Sequence, residues 1–123
     1  MTKDELKSRT KKYGIEMIRF LYSLPKENIT SAIVNQLVRS ATSIGANYRA
    51  AMRSRSDKEF IAKMGIIVEE ADETLYWLEI MNEVSQFNKA KNEIDILMKE
   101  ANELTAIFVS TLKTLKAQQN LNS

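Results

Sequence analysis

Residues that interrupt helices are rare in this chain, which has one proline and three glycines among 123 residues. Apolar residues recur at intervals of three and four positions over most of its length, and this spacing places them on one face of an α-helix. No segment shows the alternation of apolar and polar residues that marks a half-buried strand. The sequence therefore predicts an all-α fold.

Four helices are predicted, at about residues 4–24, 30–53, 57–86 and 89–116. Pro25 ends the first, and Thr30 is a suitable N-cap for the second. Ser56 and Glu59 have the spacing of a capping box at the start of the third, and the residues after 116 are expected to fray. Because the connections are short, we expect a single domain over residues 1–123 that folds as an antiparallel up-down four-helix bundle.

Gly45 lies in the middle of the second predicted helix, on the stripe that faces the core. A glycine inside a helix costs up to about 1 kcal/mol relative to alanine. The missing side chain would compensate for that cost if another backbone packed closely against this position. We therefore expect a neighbouring helix to approach Gly45.

The residues that most often carry catalysis are missing, since the sequence has no cysteine and no histidine. Cysteine nucleophiles, thiolate metal sites and histidine bases are thereby excluded. The segment EEADE at residues 69–73 has carboxylates on adjacent helical turns, which could hold a metal ion or act as an acid–base pair. Di-iron bundles, however, also need Glu-x-x-His motifs. We expect a protein that is not an enzyme and binds no metal and no cofactor.

The apolar fraction of 44% and the charged fraction of 28% are ordinary for a soluble globular protein. The N-terminal segment lacks the apolar run of a signal peptide. No segment approaches the ~18 consecutive apolar residues of a membrane span. A cytoplasmic protein without a membrane segment is expected.

Charge is distributed unevenly, although the net charge is only +2. Residues 28–56 contain four arginines and no acidic residue, whereas residues 57–87 contain eight acidic residues and two lysines. A helical wheel places Arg39, Arg49 and Arg53 opposite the apolar stripe of the second helix. This row, about 21 Å long, could follow several phosphates of a nucleic acid.

The alternative is that these arginines pair with the acidic residues of the third helix, within one subunit or across an interface. Arg53 and Arg55 are the least expected to be paired, because they lie at the helix end beside the turn. The candidate nucleic-acid-binding residues are Arg49, Arg53 and Arg55.

The third helix has a second row of apolar residues on the face opposite its core stripe. An apolar row on both faces predicts burial on both faces, and in a four-helix bundle only another subunit or a ligand could cover the outer one. The alternative is that Trp77 lies at the edge of the bundle. Carboxylates within the row should have a cationic partner, with Arg39, Arg49 and Lys63 as candidates. The candidate oligomer-interface residues are Ile66, Glu70, Glu73, Trp77, Ile80 and Val84.

A longer pattern connects these features. The segment Ser-Ile-Gly-Ala-Asn-Tyr-Arg occupies positions 43–49 and is followed by Phe60, Lys63, Glu70, Glu73, Trp77 and Leu78. With this pattern the chain resembles, over essentially its whole length, the four-helix-bundle proteins of the 23S ribosomal RNA intervening-sequence family, also described as ribosomal S23-type proteins. Many members have a glutamate where this chain has Ala50, so the second helix is more cationic here.

The resemblance implies a homopentameric ring of antiparallel bundles. It also implies a relation to the accessory variability proteins of diversity-generating retroelements, which are positively charged pentamers that bind nucleic acid and a reverse transcriptase. A reverse transcriptase is therefore an expected partner if the chain belongs to that branch. For most members of the family no biochemical role is established.

Two functions of different classes remain open. In the first, a homopentamer binds structured RNA through arginine rows repeated around the ring, where five copies strengthen a weak site by avidity. In the second, the protein is a structural or protein-interaction module whose arginines are used in ion pairs. The modest net charge keeps the second function open.

Overall fold

The computed structural model of the protein describes residues 1–26 and 28–121. These residues form four α-helices, one 3-10 helix and no strand. The helices are α1 (Lys3–Tyr22), α2 (Asn28–Ala51), α3 (Asp57–Glu83) and α4 (Lys91–Leu121), and the 3-10 helix (Ser85–Ala90) connects α3 to α4. The prediction of an all-α fold with four helices is confirmed.

The helices pack side by side in chain order, and α4 returns to contact α1. α1 runs antiparallel to α2, since Thr10 lies beside Gly45 while Gly14 lies beside Thr42. The short connections reverse the chain between successive helices. The result is a bundle in which α1 neighbours α2 and α4, and α3 lies diagonally across from α1.

The core is built from apolar side chains of all four helices. Its largest fully buried members are Tyr13, Met17, Leu37, Ile44, Met64, Ile67, Leu78, Met81, Ile94, Leu104 and Phe108. The Tyr13 hydroxyl donates a hydrogen bond of 2.9 Å to the carbonyl oxygen of Leu97, which satisfies the one polar end of this ring inside the core. Burial raises the pKa of Tyr13, so the hydroxyl stays protonated.

The ends of α2 differ from the prediction. The helix begins at Asn28, so that Thr30 lies within it rather than at its N-cap, and it ends at Ala51 instead of residue 53. The backbone N–H of Arg53 bonds to the carbonyl oxygen of Ala50, three residues back, at 3.0 Å. This tighter turn is common at helix ends. Arg53 therefore lies in the connection between α2 and α3 and not on the predicted helical face.

The end of α3 and the extent of α4 differ as well. Val84 has an extended backbone, with φ of −97° and ψ of 121°, so α3 stops at Glu83 and not at residue 86. The following 3-10 helix buries Phe87 against the core. α4 continues to Leu121, past the predicted end at 116, through alanine and glutamine residues that favour helix.

One of the two hydrogen bonds of the capping box predicted for α3 is present. The Ser56 hydroxyl accepts a hydrogen bond of 3.1 Å from the backbone N–H of Glu59. The Glu59 carboxylate does not reach back to Ser56; it accepts, at 3.4 Å, from the backbone N–H of Arg55. The connection that carries Arg53 and Arg55 is thus fixed to the start of α3 by a short polar contact.

The expected close approach at Gly45 is confirmed. A Cβ atom added to Gly45 would lie 3.2 Å from the carbonyl oxygen of Thr10 and 3.3 Å from the backbone nitrogen of Lys11. Both neighbours are backbone atoms of α1, which cannot rotate away as a side chain can. Gly65 of α3 differs, because nothing lies within 4 Å of a Cβ added there.

These two glycines provide a matched pair of substitutions. Both Gly45→Ala and Gly65→Ala gain up to about 1 kcal/mol of helix propensity, but only the first forces α1 and α2 apart. We expect Gly65→Ala to raise the free energy of unfolding and Gly45→Ala to lower it. The difference between the two should be about 1–3 kcal/mol, the usual cost of overpacking, in urea unfolding followed by circular dichroism. Equal stabilisation by both would contradict a close contact at Gly45.

Candidate nucleic-acid interface

Arg39 of α2 is held by carboxylates of α3. Its Nη1 lies 3.3 Å from Oε2 of Glu70, and its Nη2 contacts Oε1 of Glu73. The indole nitrogen of Trp77 donates to the same Glu73 oxygen at 3.5 Å. The cationic partner expected for Glu70 and Glu73 is therefore confirmed, and it is Arg39 of the same subunit.

Arg9 of α1 is also paired with carboxylates, on the other side of the bundle. Its guanidinium donates to both carboxylate oxygens of Glu100, at 2.7 and 2.5 Å, and to Glu103 at 2.8 Å. The hydrogen bonds from Arg9 lower the pKa of Glu100. Planar two-point contacts of this kind are the strong form of ion pair, so Arg9 ties α1 to α4 and is not free for a ligand.

The three arginines predicted to bind nucleic acid lie near one end of the bundle. Arg49 is in the last turn of α2 and is exposed, while Arg53 and Arg55 are exposed in the connection to α3. Across residues 1–26 and 28–121, no carboxylate lies within ion-pair distance of these three guanidinium groups. Each of the two interpretations therefore fits different arginines. Arg39 is paired with carboxylates, and the other three are not.

A groove on the seam between α1 and α2 adds two lysines to Arg49. This cationic groove has a volume of about 450 Å³ and is lined by Lys7, Thr10, Lys11, Gly14, Ile15, Ile18, Thr42, Gly45, Ala46 and Arg49. Its three cations are exposed, whereas Thr10 and Gly14 are buried. No carboxylate is among the described residues that line it. Such a set of charges around small residues suits the oxygens of phosphate groups.

The sequence reasoning missed Lys7 and Lys11. In the sequence the first helix mixes basic and acidic residues, so its cations are less conspicuous than the arginines of residues 28–56. The available signal was the four-residue spacing of the two lysines, which places them on one face of α1, away from its apolar stripe. What the sequence could not show is that this face borders Arg49.

The predicted interface row of α3 is only partly open to another subunit. Ile66 is 41% exposed and Ile80 is half-buried, but Trp77 and Val84 pack partly against the core of their own subunit. Tyr76, which the prediction did not include, is 56% exposed and contacts Trp77 edge-on with ring centroids 5.3 Å apart. The row therefore does not face wholly outward, and its part in assembly stays a prediction.

The carboxylates in the acidic segment of α3, at residues 69–73, are not gathered into one group. In the part of the chain that the structure describes, no three acidic side chains come together as a metal ion would require. The carboxylates of residues 69–73 are instead directed in part to Arg39, through Glu70 and Glu73.

Within the same described residues, no helix is both long and apolar enough to span a membrane.

Fold and site together define a small helical-bundle protein with unpaired cations at one end. The chain belongs to the 23S rRNA-intervening sequence protein family, whose model matches residues 3–110. Among solved structures it is similar to a protein of unknown function from the S23 ribosomal protein family of Bacteroides thetaiotaomicron VPI-5482. The two share 27% identity with a TM-score of 0.82, over 92% of this chain and 99% of that chain. No curated protein matches the sequence.

The pairing of Arg39 predicts a specific dependence of stability on pH. The hydrogen bond from Arg39 lowers the pKa of Glu73 below its usual value of 4.5. The stabilisation is therefore complete at neutral pH and is lost as the pH falls below that value, through the pKa of the folded state. We expect Arg39→Ala to lower the melting temperature at pH 7, and this difference from the wild-type protein should shrink at pH 3.

Arg53→Ala is the matched control for this measurement. It removes the same charge from a position without a carboxylate partner, so it should leave the melting temperature unchanged at both pH values. A loss of stability on Arg39→Ala that is equally large at pH 3 would show that the side chain acts through packing and not through Glu73.

Proposed function

We propose that the protein is a non-catalytic, homo-oligomeric accessory protein that binds RNA. The observation that supports this most directly is a set of cations near one end of the bundle, none of which has a carboxylate partner among the described residues: Lys7, Lys11, Arg49, Arg53 and Arg55. Cations that form no pair within their own protein are free to replace the counterions of a phosphate backbone. Structured RNA in the cytoplasm is the proposed ligand.

The proposed assembly is a ring of five subunits, as the sequence resemblance implies. A single subunit offers only a few cations, and a ring would repeat them so that several contacts act on one RNA molecule. Of the predicted interface row on α3, the apolar residues Ile66, which is exposed, and Ile80, which is half-buried, are accessible to another subunit. If the chain belongs to the retroelement branch, a reverse transcriptase would be a further partner.

A structural or protein-interaction module is the second candidate function. It is favoured by the outward face of α3, where Tyr76 and Ile66 are exposed beside the carboxylates of Glu69 and Asp72. Exposed aromatic and aliphatic side chains surrounded by charges are typical of protein interfaces. This face would serve a protein partner and would repel RNA.

Changing Arg53 and Arg55 together to alanine tests the proposed function. We expect the helical content and the oligomer to remain intact, because neither side chain lies in the core. The affinity for an RNA hairpin should fall, and the slope of log affinity against log salt should decrease by about 0.7 to 0.9 for each phosphate that the variant no longer neutralises. Filter-binding titrations at several salt concentrations measure both quantities.

Lys89→Ala combined with Lys99→Ala is the matched control, since it removes the same charge from exposed positions of the connection and of α4. Its affinity and salt slope should equal those of the wild-type protein. If the wild-type protein binds neither an RNA hairpin nor duplex DNA at low salt, the interaction module replaces RNA binding as the function.

Analytical ultracentrifugation tests the proposed ring. The wild-type chain should sediment as a particle of about five times 14.1 kDa. Ile66→Glu places a charge on an exposed apolar position of α3 and should dissociate the ring while the helical content is kept, because burying an unpaired charge is costly. Ile66 is a better choice than Trp77, which also packs against its own core.

Ile96→Glu on α4, at a position that is 66% exposed, is the control and should leave the ring intact. A wild-type monomer at micromolar concentration, or dissociation by both variants alike, would contradict the proposed interface.

A further inference from the structure

A second groove continues the cationic groove along the seam between α1 and α2. This apolar groove has a volume of about 480 Å³ and lies where α1 ends and α2 begins. Its walls include Ile18, Leu21 and Tyr22 of α1 and Val34 and Val38 of α2. Ile18 lines both grooves, so the two lie end to end along one seam.

Tyr22 is the unusual residue of this second groove. It is the last residue of α1 and is 79% exposed, more than any other tyrosine or phenylalanine that the structure describes. Its ring therefore contributes little to the core, although it stands beside the apolar side chains of the groove. An exposed aromatic ring at the edge of an apolar groove can stack on a nucleic-acid base, because every base has a π-face.

The charged residues that line the two grooves, among those that the structure describes, are all cationic. Lys7, Lys11 and Arg49 belong to the cationic groove, and Lys26 lines the apolar groove. Among the described residues, no carboxylate lines either groove. Lys7 and Tyr22 are fifteen positions apart on α1, which corresponds to about 22 Å along the helix axis. A single nucleic-acid strand lying along this seam would contact cations at one end and the exposed ring of Tyr22 at the other.

The geometry points to a single-stranded segment of RNA as the occupant of this seam. Its phosphates would contact Lys7, Lys11 and Arg49, and one unpaired base would stack on Tyr22 against the apolar groove. A duplex does not fit this role, because its bases are stacked on each other, whereas bases in loops and ends can be splayed onto aromatic rings. This inference rests on the proposed function and specifies which part of an RNA the protein recognises.

The test compares Tyr22 with a second exposed tyrosine. Tyr22→Ala should weaken binding of a fluorescent twelve-nucleotide oligouridine by roughly tenfold, the scale of losing one stacked base, with the salt slope unchanged. Tyr22→Phe keeps the ring and should restore binding. Tyr76→Ala removes an exposed tyrosine of α3 that lies outside both grooves, and it should bind like the wild-type protein.

The two lysines are tested by their salt dependence. Lys7→Ala combined with Lys11→Ala should reduce the slope of log affinity against log salt by about 1.4, because each phosphate contact to a single strand contributes about 0.7. A blunt duplex RNA of the same length should bind more weakly than oligouridine and should not respond to Tyr22→Ala.

The outcomes separate this inference from the proposed function. If the RNA hairpin binds through Arg53 and Arg55 but Tyr22→Ala leaves oligouridine affinity unchanged, the stacking site is wrong and RNA binding stands. If the wild-type protein binds no RNA at low salt, both are wrong. If Tyr22→Ala dissociates the oligomer and leaves RNA affinity unchanged, a second copy of the chain occupies the seam, and the inference is overturned.

Discussion

The backbone contact between α1 and α2 at Gly45 determines how the cationic surface is arranged. Because a Cβ at this position would lie only 3.2 Å from the carbonyl oxygen of Thr10, the two helices can approach this closely only with a glycine here. Gly14 lies on the opposite helix, where an added Cβ would be in ordinary contact at 3.5 Å from Thr42. The small residues keep the seam narrow, so that cations from two different helices surround one groove. A larger residue would separate Lys7 and Lys11 from Arg49.

Arg39 and Arg49 of α2 have different surroundings because of their positions along the helix. Arg39 and Arg49 are ten residues apart, which is about 2.8 helical turns. They therefore point to different neighbours: Arg39 reaches the carboxylates of α3, and Arg49 borders α1. A helical wheel places both on the outer side of α2, and only the arrangement of the neighbouring helices distinguishes a paired arginine from an unpaired one.

Features set by local spacing could be predicted from the sequence. The four helices, the cap at Ser56 and the close approach at Gly45 all follow from the pattern of a single segment, and each is present. The helix ends were less accurate, since α3 was predicted to reach residue 86 while the backbone at Val84 is already extended. Features that depend on how two helices are placed could be predicted only as alternatives, as for Arg39, which was one of three candidate partners of Glu70 and Glu73. Lys7 and Lys11 contribute to the site only because α1 packs on α2. The residue pattern of one helix does not show which helix lies beside it.

The modest net charge of +2 is a poor guide to what the cationic groove can bind. Half of the chain's 16 acidic residues belong to α3, which lies diagonally across the bundle from α1. Adjacent helices lie about 8–10 Å apart, so diagonal helices are farther apart than the Debye length of about 8 Å at physiological ionic strength. The carboxylates on the outward face of α3 are consequently screened from a strand on the α1–α2 seam. A phosphate there experiences the local cations, not the total charge of the chain.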